Sequence, residues 1–95
     1  MSYLPKKIND LWTLRDVIVY IVRTRNDRDL YRWASVLERH EVPDDIREEY
    51  AKKVIEKVES YGYEVSEKLK EKLKRAVLPP LLYYPSWYTE ELMRR

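Results

Sequence analysis

Apolar residues along this chain recur at helical spacing in four successive stretches, separated by polar, proline-bearing or capping residues. In the first, Leu11, Leu14, Ile18, Ile21 and Val22 follow Asn9 and Asp10, either of which can cap a helix N-terminus. The run Val17-Ile18-Val19-Tyr20-Ile21-Val22 is β-branched and also suits a buried strand. Helix is the better reading, because a strand here finds no partner elsewhere in the chain. Apolar side chains nearly all round this segment predict the central and most buried element.

The second stretch opens on Asn26-Asp27 and carries Leu30, Trp33, Ala34 and Leu37 on one face, ending near His40 before Val42-Pro43. The third starts at Pro43-Asp44-Asp45, where two acids meet the positive end of a helix dipole. Ile46, Tyr50, Val54, Val58 and Tyr61 then define its core face, with Ala51 and Ile55 beside them and Gly62 as a left-handed stop. The fourth begins around Glu64 to Ser66 and buries Val65, Leu69, Leu73, Ala76 and Val77. Glu64/Lys68 and Glu71/Arg75 are i, i+4 pairs in the favourable orientation, and Pro79-Pro80 marks the stop. The expected fold is therefore all-α, a compact bundle of four main helices, with residues 1–80 as the helical domain. Residues 81–95 form an aromatic C-terminal segment, in which Thr89 can cap a short last helix.

Composition sharpens this picture. One glycine in 95 residues argues against a β-rich fold with many tight turns, and 44% hydrophobic content is enough for one core. Charged residues make up 38% against about 25% in ordinary soluble domains, yet the net charge is only +2, so opposite charges are interspersed. The chain has no Gln, no Cys and only Asn9 and Asn26 as asparagines. With abundant Glu, Lys and Arg, that composition resembles hyperthermophile proteins and points to a thermophilic archaeon, or a virus of one, as the source. The N-terminus lacks a signal-peptide pattern, and the longest apolar run, Val17 to Val22, is far short of a bilayer span. The expectation is a soluble, cytoplasmic protein.

Catalytic parts are scarce. Gly62 alone cannot build a phosphate-cradling loop, the absence of cysteine excludes thiol nucleophiles and Cys-based zinc sites, and His40 is the one histidine. His40, Glu41, Asp44 and Asp45 match no metal-ligand spacing and stand where helix-dipole preferences alone would place them. No catalytic residue, cofactor or metal is expected.

Surface chemistry is left. Tyr83, Tyr84, Trp87, Tyr88, Leu92 and Met93 form an aromatic tail of the composition found at interface hot spots, suited to docking on a larger protein or a second copy. The competing reading is that the tail folds back to complete a small core. Arg28, Arg32, Ser35 and Arg39 fall within a ~60° sector of the second helix, with Arg23 and Arg25 just before it. Arginine's planar fork suits phosphate recognition, although a charge of +2 is low for a dedicated nucleic-acid binder and the stripe can equally be a solvated, ion-paired face. The lysines of the fourth helix alternate with glutamates, as on an ordinary exposed face. The preferred reading is a non-enzymatic accessory or adaptor protein that docks, through its tail, on an assembly that handles nucleic acid. The alternative is a small helical DNA- or RNA-binding protein using the arginine stripe. A helix-turn-helix is disfavoured because Glu41-Val42-Pro43 lacks the usual turn glycine.

Overall fold

The computed structural model describes residues 5–81. They form four helices, α1 (Leu11–Arg25), α2 (Arg28–Leu37), α3 (Asp44–Ser60) and α4 (Glu67–Leu73). Two short strands, β1 (Lys7–Ile8) and β2 (Glu64–Val65), pair in parallel, so a helical fold carries a small strand bridge that periodicity did not predict. The bridge is held by the Glu64 amide donating to the Lys6 carbonyl at 2.7 Å and the Ser66 amide to that of Ile8 at 3.0 Å. Its inward residues, Ile8 and Val65, are buried and tie the chain's start to the entry of α4.

Three of the four helices start on a side-chain cap, and α3 opens after Pro43 with Asp44 and Asp45 in its first turn. Asp10 caps α1, accepting from the Thr13 amide at 2.8 Å and the Thr13 hydroxyl at 2.9 Å. These bonds favour the ionised form and hold its carboxyl below the ordinary value. Asn26 closes α1 in the left-handed conformation (φ 53°), which asparagine tolerates better than most residues. Asp27 caps α2 at once, so α1 turns into α2 with no intervening loop. Ser66 caps α4 through the Leu69 amide at 3.2 Å. Gly62, at φ 97°, supplies the expected left-handed residue after α3.

The core gathers Leu14, Val17, Ile18, Ile21 and Val22 of α1 with Leu30, Ala34 and Leu37 of α2. Ala51, Val54, Ile55 and Val58 of α3 join Leu69 and Leu73 of α4 on its other side. The Val17 to Val22 run is helical, as helix-period packing of its buried residues requires.

Four expectations are corrected. α1 is not buried all round, since Trp12 is 61% exposed and Tyr20 43%. α2 ends at Leu37, leaving Arg39 and His40 beyond it. On α3 the inward stripe differs in the first turn: Ile46 is 37% exposed and Arg47 only 3%, while Val54 and Val58 are buried as expected. α4 stops at Leu73 rather than at the prolines, and Glu64 lies in β2, outside the helix. Ion pairing on α4 runs at i, i+3 instead, with Lys70 to Glu67 and Lys74 to Glu71, both at 3.2 Å.

The early end of α4 has a physical reason. Leu78 donates its amide to the Leu37 carbonyl at 2.9 Å, and Leu81 donates to the Glu38 carboxylate at 2.7 Å. Both side chains are buried, and Pro79 disfavours a helical conformation at Leu78. Burial and hydrogen bonds beside α2 win over further turns of helix.

Candidate functional site

Two charged side chains are buried among the described residues, and both hold the ends of α2. At its start, Asp27 accepts from the Leu30 amide at 2.9 Å and from the Tyr61 hydroxyl at 2.6 Å, with the Lys57 ammonium at 3.5 Å. Burial pushes this carboxyl up, but the bonds from Tyr61 and Leu30 and the Lys57 charge outweigh it and leave it below its ordinary value. Tyr61 is raised correspondingly, chiefly by its bond to Asp27. At the other end, Arg47 reaches from α3 to the carbonyls of Leu37, at 3.1 Å, and Arg39. A cation is thus placed at the negative end of the α2 dipole, where it also satisfies carbonyls the helix leaves open. Both buried charges serve structure.

The arginines singled out from the sequence are all exposed. Arg23 and Arg25 occupy the last turn of α1, and Arg28 opens α2 across the Asn26-Asp27 corner. Arg25 lies over the Tyr61 ring at 5.7 Å, and Arg32 pairs with Asp29 one turn earlier. The predicted stripe is shorter than four residues. Ser35 is half-buried and donates to the Tyr31 carbonyl at 2.8 Å, while Arg39 lies past the helix end and is not in helical register with Arg28 and Arg32. Arg23, Arg25 and Arg28 thus lie close in sequence around the α1–α2 turn, with Arg23 and Arg25 on opposite sides of α1, and Arg39 stands at the far end of α2. Tyr83, Tyr84, Trp87, Tyr88, Leu92 and Met93, with the short helix expected near Thr89, lie outside the described residues. The chain reaches that segment from Leu81, which is anchored at the C-terminal end of α2.

Sequence reasoning missed two groups. Arg47 carried no signal, because it stands one position from an apolar residue of the expected stripe. The outward face of α1 was legible but passed over: Trp12, Asp16, Tyr20 and Arg23 fall in an ~80° sector at 100° per residue. There the Arg15 guanidinium lies 5.4 Å from the Trp12 ring centre and pairs with Asp16 at 3.1 Å. Elsewhere, Lys53 sits over both Trp33, at 5.6 Å, and Tyr50, at 5.2 Å.

A shallow groove of about 810 Å³ runs between α3 and α4, lined by seven acidic side chains against three lysines. Carboxylates thus outnumber cations along the α3–α4 groove. Among the described residues no three His, Cys, Asp or Glu side chains are grouped to hold a metal ion, and Asp44 and Asp45 occupy the first turn of α3. Nor is any described helix long and apolar enough to cross a membrane. No family model, curated protein or solved structure matches this chain.

Proposed function

We propose that this protein is a non-enzymatic accessory subunit or adaptor, which docks on a larger, nucleic-acid-handling assembly through its aromatic C-terminal residues. The observation that carries the reading is the anchoring of the chain at Leu81. Its buried side chain and its bond to Glu38 tie the chain to the end of α2. Two residues later in sequence the aromatic stretch begins, with Tyr83, Tyr84, Trp87, Tyr88, Leu92 and Met93 as the contact residues. A fixed base lowers the entropic cost of presenting such a segment, and Tyr and Trp give large contact area with few rotatable bonds. The engagement of Asp27 and Arg47 in capping supports the non-enzymatic part, since neither buried charge is left for acid-base work.

Affinity capture from the native lysate tests this, using the full chain beside a Tyr84→Ala/Trp87→Ala double variant. The reading expects one dominant partner, retained by the full chain and lost by the variant. Identical capture by both would sink it.

The closeness in sequence of Arg23, Arg25 and Arg28 around the α1–α2 turn favours a second reading, direct binding to DNA or RNA with Arg32 and Arg39 adding contacts along α2. Arginine contacts to phosphate release counterions, so such binding weakens steeply with salt. An Arg28→Ser/Arg32→Ser/Arg39→Ser variant should lose affinity about equally for all sequences. A wild-type protein that shifts neither duplex nor single-stranded probes at low salt would exclude this mode.

A further inference from the structure

We propose that the outward face of α1 is a binding surface for single-stranded nucleic acid, with Trp12 and Tyr20 stacking on bases and Arg23 contacting phosphate. The proposal is separate from the tail and needs none of the α2 arginines; it shares with the second reading Arg23 and the anionic class of ligand. Its basis is an unusual pairing of exposure and charge. Trp12 and Tyr20 are the two exposed aromatic side chains among the described residues, and both stand on the helix with the deepest apolar stripe. Nothing among the described residues demands them there, since α1 already buries Leu14, Val17, Ile18, Ile21 and Val22 on its opposite side.

Their geometry suits a strand of nucleotides. Eight residues apart on one helix face, the two rings are displaced by about 12 Å along the axis, at 1.5 Å per residue. Arg23 follows three residues after Tyr20 on the same face, and Arg25 lies just beyond it at the helix end. At the near end, Arg15 covers the Trp12 ring from one side and is itself held by Asp16, which limits the motion of an otherwise exposed indole. Aromatic platforms interleaved with cations are the elements by which single strands are bound without sequence preference.

Charge selects the partner class. Asp16 is the one acid within the α1 helix, and it is paired with Arg15, so Arg23 leaves this face positive. Along the α3–α4 groove, by contrast, carboxylates outnumber cations. A duplex offers phosphates but keeps its bases stacked on each other, leaving Trp12 and Tyr20 without faces to meet. A protein partner of ordinary kind would pair an apolar anchor with a centre depleted in charge, which this arginine-rimmed face is not.

Fluorescence anisotropy of a labelled oligo-dT, titrated at low salt with the full chain, tests the proposal. Wild type should bind, and bind the single strand more tightly than a duplex of the same length. Trp12→Ala should weaken binding about tenfold or more, Tyr20→Ala by less, and Trp12→Phe should restore most of the loss, because stacking tolerates a change of ring. Arg23→Ser should flatten the dependence of log affinity on log salt by about 0.7, whereas Trp12→Ala should leave that slope unchanged. Circular dichroism of each variant separates these effects from misfolding, and Trp12→Phe keeps the test decisive if the alanine variant is unstable. Wild-type failure to bind oligo-dT, or a preference for duplex, overturns the proposal. So does unchanged binding by Trp12→Ala and Tyr20→Ala. If binding is then lost only in Arg28→Ser/Arg32→Ser, the α2 arginines carry it and the α1 face does not. Loss of self-association in Trp12→Ala, with oligo-dT binding intact, would make this face a contact between copies and overturn the proposal equally.

Discussion

The two ends of α2 are both held by a buried charge, but the two clamps are built differently. At the start, Asp27 is the helix's own N-cap, and Tyr61 and Lys57 from the end of α3 complete a site that local sequence has already defined. At the finish the local closure is limited to backbone amides of Glu38 and Arg39 donating to the Val36 carbonyl, with no side-chain cap from α2. Arg47, ten residues beyond Leu37, reaches back from α3, while Leu78 donates to the same Leu37 carbonyl. One end is specified by its own side-chain cap and reinforced from afar; at the other, the Leu37 and Arg39 carbonyls are satisfied only once three segments have come together. The assembled end is also where Leu81 is anchored, through its bond to Glu38.

Removing Arg47 should have the largest effect. Arg47→Ala should lower stability by about 3 kcal/mol, because buried carbonyls lose a charged donor and a cavity remains. Chemical denaturation measures the change, and Arg47→Met should recover part of it by restoring the aliphatic stem. An effect below about 0.5 kcal/mol, the range of surface substitutions, would mean the clamp is incidental.

Asp27→Ala comes next, at about 2 kcal/mol, combining a lost N-cap with an orphaned Tyr61 hydroxyl. The two clamps should also separate by pH. The folded Asp27 carboxyl lies below the ordinary value of 3.8, so its contribution is complete above that value and disappears as pH falls through the folded one. An arginine side chain does not titrate in this range. Stability of Asp27→Asn should therefore fall less steeply than wild type below about pH 4, whereas Arg47→Ala should keep the wild-type slope. Parallel acid curves for wild type and Asp27→Asn would contradict the assignment.

A smaller loss, about 1 kcal/mol, is expected for Tyr61→Phe, which removes one of the bonds to Asp27 and leaves the ring beneath Arg25. Gly62→Ala should cost a similar amount through backbone strain alone, since φ is 97° and an added Cβ meets nothing within 4 Å. Thermal melts of these two variants set the scale against which the α2 clamps are judged.

The same contrast explains what was legible beforehand. Asp10 and Asp27 as caps, the acids opening α3, Gly62 after it and the helical state of Val17 to Val22 all follow from short-range rules. The inward turn of Arg47 does not, because periodicity weighs an arginine as a surface residue and its carbonyl partners lie in another segment. Leu78 and Leu81 were hidden similarly: the prolines announce a stop, but only the neighbouring α2 carbonyl and Glu38 fix how the chain leaves the helix. The β1–β2 bridge pairs residues far apart in sequence, which no local pattern encodes. For the candidate surfaces the order reverses. The arginines around the α1–α2 turn were visible as composition, whereas the outward placement of Trp12 and Tyr20 was masked by the apolar residues around them.

The central claim is that residues beyond Leu81 serve binding rather than hold the helices together. Thermal unfolding of the chain ended after Leu81, measured beside the full chain and paired with partner capture, tests it most directly. The account predicts unchanged helicity in the described elements and a melting temperature within a few degrees of the full chain, with the partner lost. An unfolded product, or a loss of several kcal/mol in stability, would contradict it and make the aromatic segment part of the core.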